Sequence, residues 1–252
     1  MKKTLTLILS LGCFAAGFVQ ADTEVVQADF SVTDFSNYKG ISEGGWTLNA
    51  ASTVTAGESL VFTDDLLYVA YKGDSIHHNN ITFTFVLDGL SANSGYNALY
   101  TLHTHDSKSG GNVIGLCLDK DNSSYLTGIA QNQQWDNDQN KDIEYPEGKF
   151  ILTVQHTNQD YTLVYLNGEL AAKISGLRYS GDSHTMKQLN FGGNSTGGNG
   201  VNVTLEGLYI HNQKLTADEI KTFVGSLPIP EPTTATLSLL ALAGLAARRR
   251  RR

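Results

Sequence analysis

From residue 81 to residue 87 the chain alternates, with Ile81, Phe83, Phe85 and Leu87 separated by Thr82, Thr84 and Val86. A period of two places the first set on one face of an extended strand and is incompatible with an amphipathic helix. Val86 gives the opposite face an apolar position as well. Phe150, Leu152 and Val154 repeat the pattern, and so do Val201, Val203 and Leu205. Further strands are predicted at 66–71, 98–102, 113–118, 161–166 and 170–174. Gly, Asn, Asp and Ser separate these runs, and almost no helical periodicity lies between them. Many short strands with turn residues at this spacing predict an all-β sandwich of two antiparallel sheets, a jelly roll. Asn167-Gly168 lies between two of the strands and suits a tight primed hairpin turn, because both residues tolerate positive φ.

One helix is predicted near the C-terminus. Thr216 and Glu219 have the spacing of a capping box, and Leu215 and Ile220 that of a hydrophobic staple. Ile220, Phe223 and Val224 form one apolar face, so this short helix is expected to cover one end of the sandwich.

The two ends of the 252-residue chain read as addresses. Lys2 and Lys3 precede an apolar stretch at 4–18, and Val19-Gln20-Ala21 offers a cleavage site, so residues 1–21 are expected to be a signal peptide. Leu11-Gly12-Cys13 resembles the end of a lipobox, but the apolar stretch runs on past Cys13. At the other end Pro230-Glu231-Pro232 is followed by an uncharged run at 233–247 and then by arginines that include Arg248 and Arg249. A basic cluster after an apolar run holds that end in the cytoplasm while the body is exported. These three parts, in this order, resemble the PEP-CTERM sorting signal of Gram-negative bacteria; an ordinary C-terminal membrane anchor is the alternative. The resemblance implies signal peptidase and an exosortase as processing partners, transient membrane attachment, and delivery to the cell surface or exopolysaccharide matrix. Domains are thus expected at 1–21, 22–227 and 228–252.

Charge excludes one class of partner. Between Asp22 and Pro230 there are 11 basic and 24 acidic residues, a net charge of −13. Such a body repels phosphate backbones, so nucleic acid is not expected as a ligand. Cys117 is the one cysteine outside the leader and reads as a buried thiol.

A family resemblance covers residues 150–223. The segments 162–170 (Thr162-Leu163-Val164-Tyr165-Leu166-Asn167-Gly168-Glu169-Leu170), 189–193 (Leu189-Asn190-Phe191-Gly192-Gly193) and 206–220 (from Glu206-Gly207-Leu208 to Asp218-Glu219-Ile220) resemble the central hairpin, a strand entering a Gly-rich loop, and the last strand with closing helix of LamG-like, concanavalin A-like domains. The resemblance implies one convex and one concave sheet. It also implies glycan binding on the concave face or its rim loops, although some members are glycosidases and laminin-like members bind proteins.

Candidate chemistry is sparse. Laminarinase-type members of the superfamily the chain resembles carry a Glu-x-Asp-x-x-Glu strand or a close variant. The nearest approach, Asn140-Lys141-Asp142-Ile143-Glu144, lacks the first Glu and reads as a polar loop, so no enzymatic activity is expected. Asp136, Asp138, Asn140, Asp142, Glu144 and Glu147 fall at the ligand positions of a calcium loop, but Lys141 replaces the turn glycine; a solvated acidic loop is the alternative, with calcium the only cofactor suggested. Asp119, Asp121 and Asn122 form a shorter acidic turn. His103 and His105 share a face of one strand and could ligate a metal, although hydrogen bonds to neighbours are the commoner fate. Sugars stack on aromatic rings and bond to amides. Trp135 with Asn132 and Gln134, together with Tyr96, Asn97, Tyr100 and Tyr125, are the candidate carbohydrate contacts. The expected function is an exported, surface-sorted, non-catalytic module that binds a glycan or matrix component. The alternatives are an adhesion protein with a protein partner and a glycosidase or lyase with an unfamiliar acid pair.

Overall fold

The computed structural model describes residues 25–27, 46–50, 59–63, 66–71, 76–77, 81–93, 97–103, 113–119, 122–130, 143–156, 161–175, 185–186, 188–193, 200–211 and 213–227. They form β1 (Val25–Gln27), β2 (Trp46–Ala50), β3 (Leu60–Thr63), β4 (Leu67–Tyr71), β5 (Ile76–His77), β6 (Thr82–Ala92), β7 (Ala98–His103), β8 (Val113–Leu118), β9 (Tyr125–Ala130), β10 (Ile143–Glu144), β11 (Phe150–His156), β12 (Tyr161–Leu166), β13 (Glu169–Ser175), β14 (Thr185–Met186), β15 (Gln188–Phe191), β16 (Val201–His211) and α1 (Ala217–Ser226). The described residues form an all-β, two-sheet antiparallel jelly-roll sandwich with one short helix. The first sheet runs β1-β16-β6-β11-β12-β13, with β3 also paired to β16. The second runs β10-β9-β8-β7-β15-β4-β2, and β14 and β5 form a small ribbon.

The alternating residues meet between the sheets. Phe83, Phe85, Leu87, Phe150, Leu152 and Val154 of the first sheet pack against Leu67, Val69, Tyr100, Leu102, Leu189 and Phe191 of the second, all fully buried. Phe85 stacks on Tyr100 at 5.6 Å and on Phe191 at 5.3 Å between ring centres, joining the layers. The interior also holds a polar crossing. The Tyr100 hydroxyl lies 3.2 Å from His156 Nε2, and His156 Nδ1 lies 2.7 Å from Thr162 Oγ1. Tyr100 is therefore a core residue and not a sugar contact. A bulge between Ala98 and Tyr100 shifts the phase, so that Leu99 and Tyr100 both enter the core.

The hairpin and the helix are locally encoded. Asn167 (φ 51°) and Gly168 (φ 85°) take the positive-φ conformations of a primed turn between β12 and β13. The Asn167 side chain accepts from the Ile151 amide at 2.8 Å, tying the turn to β11. At the helix start the Thr216 hydroxyl accepts from the Glu219 amide at 3.3 Å, and the Thr216 amide donates to Glu219 Oε2 at 2.7 Å. Leu215 and Ile220 pack in one cluster, as a staple requires. Thr216→Ala removes the cap and is expected to cost about 1 kcal/mol in a urea unfolding titration.

The helix corrects one expectation. It does not close an end of the sandwich; it lies on the outer face of the first sheet. Tyr209, Val86, Ile151 and Tyr165, on the adjacent strands β16, β6, β11 and β12, point away from the core and pack with Ile220 and Val224. Gly207 keeps this surface open, since a Cβ there would lie 2.9 Å from the Tyr209 ring and 3.1 Å from Val86. Beside the apolar patch, Thr82 Oγ1 latches the approach to the helix. It donates to the Gln213 carbonyl at 2.8 Å and accepts from Leu215 N at 3.1 Å and Gln155 Nε2 at 2.8 Å.

Candidate functional site

With the first sheet's outer face under α1, the second sheet's outer face is where polar chemistry collects. Along β7, Tyr100 and Leu102 enter the core, which turns Thr101 and His103 outward. Along β15, Leu189 and Phe191 enter the core, which turns Gln188 and Asn190 outward. The ladders set Asn190 between Thr101 and Tyr68, and Gln188 between His103 and Ala70. Gln188 Nε2 donates to Asn190 Oδ1. Asn190 Nδ2 in turn lies 3.0 Å from His103 Nε2, and the Thr101 hydroxyl reaches the same nitrogen at 3.0 Å. Thr101, His103 and Asn190 are buried, whereas Gln188 and Tyr68 are half-buried and reachable from solvent. Beside Thr101 the neighbouring strand carries Gly115, where a Cβ would lie 2.0 Å from the Tyr100 carbonyl oxygen; the face has no side chain there.

His103 is the titratable member. Burial holds its imidazole down to a pKa of about 4, so it is neutral near pH 7. Its hydrogen bonds to Asn190 and Thr101 match the ordinary fate of a strand histidine rather than a metal ligand. Among the described residues no group of three His, Cys, Asp or Glu side chains comes together to hold a metal. Cys117 is buried beside Ala98, and burial, with Asp119 adding to it, pushes the thiol up to about 12. It is a protonated packing residue at neutral pH.

The other candidates fall in several places. Tyr125 is half-buried at the start of β9, opposite Glu144 of β10. Glu144 and Ile143, expected in a polar loop, pair with β9 as a two-residue strand; an edge this short carries no periodicity in the sequence. Glu147 is exposed in the bend before β11. Tyr96, Asn132, Gln134, Trp135, Asp136, Asp138, Asn140, Asp142, His105 and Asp121 lie outside the described residues, as do Pro230, Glu231, Pro232, Arg248 and Arg249. Asn97 is no sugar contact: it is buried with φ 52°, and its Oδ1 accepts from the Asn93 amide at 2.6 Å to close the β6–β7 turn. Asp119 likewise accepts from the Asn122 amide at 2.8 Å and shapes the β8–β9 turn.

The register shows which of these positions share an end of the sheet. Ala130 pairs with Ile114, Val113 with His103, and His103 with Gln188. β9 thus ends, at Ala130, at the sheet end that carries His103 and Gln188. Tyr125 lies five residues back along β9, roughly 17 Å away at strand rise. The sequence does not mark Tyr68, Gln188, Asn190 and Thr101 as a site. Its one available signal was the alternation of Gln188 and Asn190 with Leu189 and Phe191.

Two antiparallel sheets, one outer face under a helix and the other bearing amides and hydroxyls, define a concanavalin-like jelly-roll sandwich. The chain is similar in structure to Trypanosoma rangeli sialidase, at a TM-score of 0.57 and 12% identity over 79% of this chain and 32% of that one. It is also similar to a botulinum neurotoxin type C structure, whose description states that cell entry depends on interaction with two ganglioside molecules; the TM-score is 0.56 at 15% identity over 82% of this chain and 52% of that one. The binding domain of botulinum neurotoxin DC, in complex with rat synaptotagmin II, gives 0.52 at 14% identity over 75% of this chain and 49% of that one. The chain therefore spans about a third of the sialidase and about half of each toxin chain. Identities this low establish the fold alone. No family model and no curated protein matches the chain.

Proposed function

We propose that this chain is an exported, non-catalytic, LamG-like module of the cell envelope that binds a glycan on the outer face of its second sheet. One observation carries the reading: the half-exposed Gln188 and Tyr68 stand together on that face over the buried hydrogen-bonded row of Asn190, His103 and Thr101. An aromatic ring beside an oriented amide is what sugar recognition needs, since one stacks on a pyranose face and the other bonds a hydroxyl. The fold also occurs in proteins whose descriptions name ganglioside and sialic acid chemistry. In this reading signal peptidase and an exosortase process the two ends of the chain.

The test is a glycan array probed with the purified exported protein. Retention on a defined set of oligosaccharides is expected, with no release of cleavage products on prolonged incubation. A correctly folded protein silent across the array sinks the reading, and product release would make it a hydrolase. Mass spectrometry of protein recovered from an exosortase-bearing Gram-negative host should show both ends removed. A second reading, a protein partner, draws on the synaptotagmin complex of a neighbour with the same fold; pull-down of an envelope protein without glycan retention would favour it.

A further inference from the structure

The hydrogen-bond row on the second sheet has a direction. An amide NH2 only donates, so the Asn190 Nδ2 contact at 3.0 Å makes His103 Nε2 the acceptor. The ring proton then sits on Nδ1 and the imidazole is neutral. With Nδ2 committed to His103, Asn190 offers Oδ1 to its other neighbour, and Gln188 Nε2 donates to it. The Gln188 amide is thereby fixed in one sense, its nitrogen turned to Asn190 and its Oε1 left to accept. Asn190 is fully buried, His103 is 3% exposed and Thr101 1% exposed, so the supporting row is rigid while Gln188 remains reachable.

Three features bear on what such an oxygen would meet. An acceptor held in place matches a hydroxyl donor and opposes a carboxylate or sulfate. The described strands of this sheet carry no Lys or Arg, and Lys187, next to Gln188 in the chain, lies outside the described residues. The net charge of −13 between Asp22 and Pro230 repels anionic sugars on approach.

We propose that Gln188 contacts the ligand through Oε1, that Asn190, His103 and Thr101 are positioning residues for it, and that the ligand is a neutral, hydroxyl-rich glycan rather than an acidic one. This inference rests on the glycan-binding reading and narrows it. It also predicts a pH response. A doubly protonated His103 cannot accept at Nε2, so the Asn190 amide must turn its oxygen to the ring, and Gln188 turns in consequence. Among the described residues of β7, β8 and β15 the only other titratable side chains are Tyr100, which faces the core, and Cys117, at the opposite end of β8. Among these described groups His103 is the one placed to set this response.

The experiment compares the full exported protein with Gln188→Ala and His103→Gln, using neutral glucan and galactan oligosaccharides against sialylated and uronic-acid oligosaccharides. Thermal midpoints first establish that each variant folds. Wild type is expected to favour the neutral set by at least about tenfold. Gln188→Ala should lose about tenfold, the equivalent of one oriented hydrogen bond. Wild-type affinity should fall between pH 6 and pH 4, while His103→Gln, a neutral side chain with a permanent acceptor, binds with a flat pH profile. The 15N chemical shifts of His103 should report the Nδ1–H tautomer at pH 7. Equal or tighter binding of acidic glycans overturns this inference and leaves glycan binding standing. Unchanged affinity in Gln188→Ala, or an Nε2–H tautomer, overturns the positioning argument. Failure to bind any glycan overturns both readings.

Discussion

Replacing Phe85 by alanine is expected to lower the free energy of unfolding by about 3–5 kcal/mol, the range for deleting a fully buried aromatic side chain. Phe85 comes from the first sheet and stacks on Tyr100 and Phe191 of the second, so its loss opens the seam between the layers. Phe83 is also fully buried, and one of its ring contacts is with Phe85 on the same strand, at 6.4 Å. Urea unfolding followed by tyrosine and tryptophan fluorescence reads the loss as a lower midpoint. A change below about 1 kcal/mol would mean that the two sheets do not meet there. Phe85→Leu, which refills most of the volume, should recover more than half of the loss.

The second large effect is acid sensitivity. His103 and His211 lie on opposite outer faces of the sandwich, both buried and both held to a pKa of about 4, His103 by burial and His211 by burial partly offset by Glu219. The His211 ring meets Phe223 of α1 edge-on at 4.5 Å. In the unfolded chain each histidine titrates near 6.5. Between the two values the unfolded state binds the extra protons. Stability is therefore full above about pH 6.5 and is lost as pH falls towards 4. The slope is at most about 1.4 kcal/mol per pH unit for each histidine, or roughly 2.7 for the pair. Urea midpoints measured from pH 7.5 to 4.5 should fall steeply below pH 6. A variant carrying His103→Gln and His211→Gln should flatten the curve in that window, and an equally steep curve in the variant would assign the acid response elsewhere. Glu219 works in the same sense at lower pH, since its hydrogen bonds with Thr216 hold its carboxyl below the usual range and protonation undoes the capping box.

These effects also mark what could be read from the chain. Features that depend on near neighbours were legible: the alternation from Ile81 to Leu87, the positive-φ pair Asn167-Gly168, and the box of Thr216 and Glu219. Each is fixed within a few residues by sterics or a local hydrogen bond. Tyr100 was misassigned because a bulge shifted the phase of its strand, and no periodicity announces a bulge. The site was harder still. Asn190 and His103 lie 87 residues apart and meet because β15 inserts between β7 and β4. Nothing in the spacing of Gln188, Asn190, Thr101 and Tyr68 reveals that pairing. Of the outward patch of Val86, Ile151, Tyr165 and Tyr209, only Val86 stands out in the sequence as an apolar position out of phase with the core. The patch's partner, α1, is set by the three-dimensional packing and not by any local pattern.

That placement of α1 has an orientational consequence. The helix ends at Ser226, with Leu227 as its cap, on the back of the first sheet, the side away from Gln188 and Tyr68. A tether attached there grips the molecule by its back. The row of Gln188 and Tyr68 is then held facing the surroundings, like the palm of a hand fastened at the knuckles.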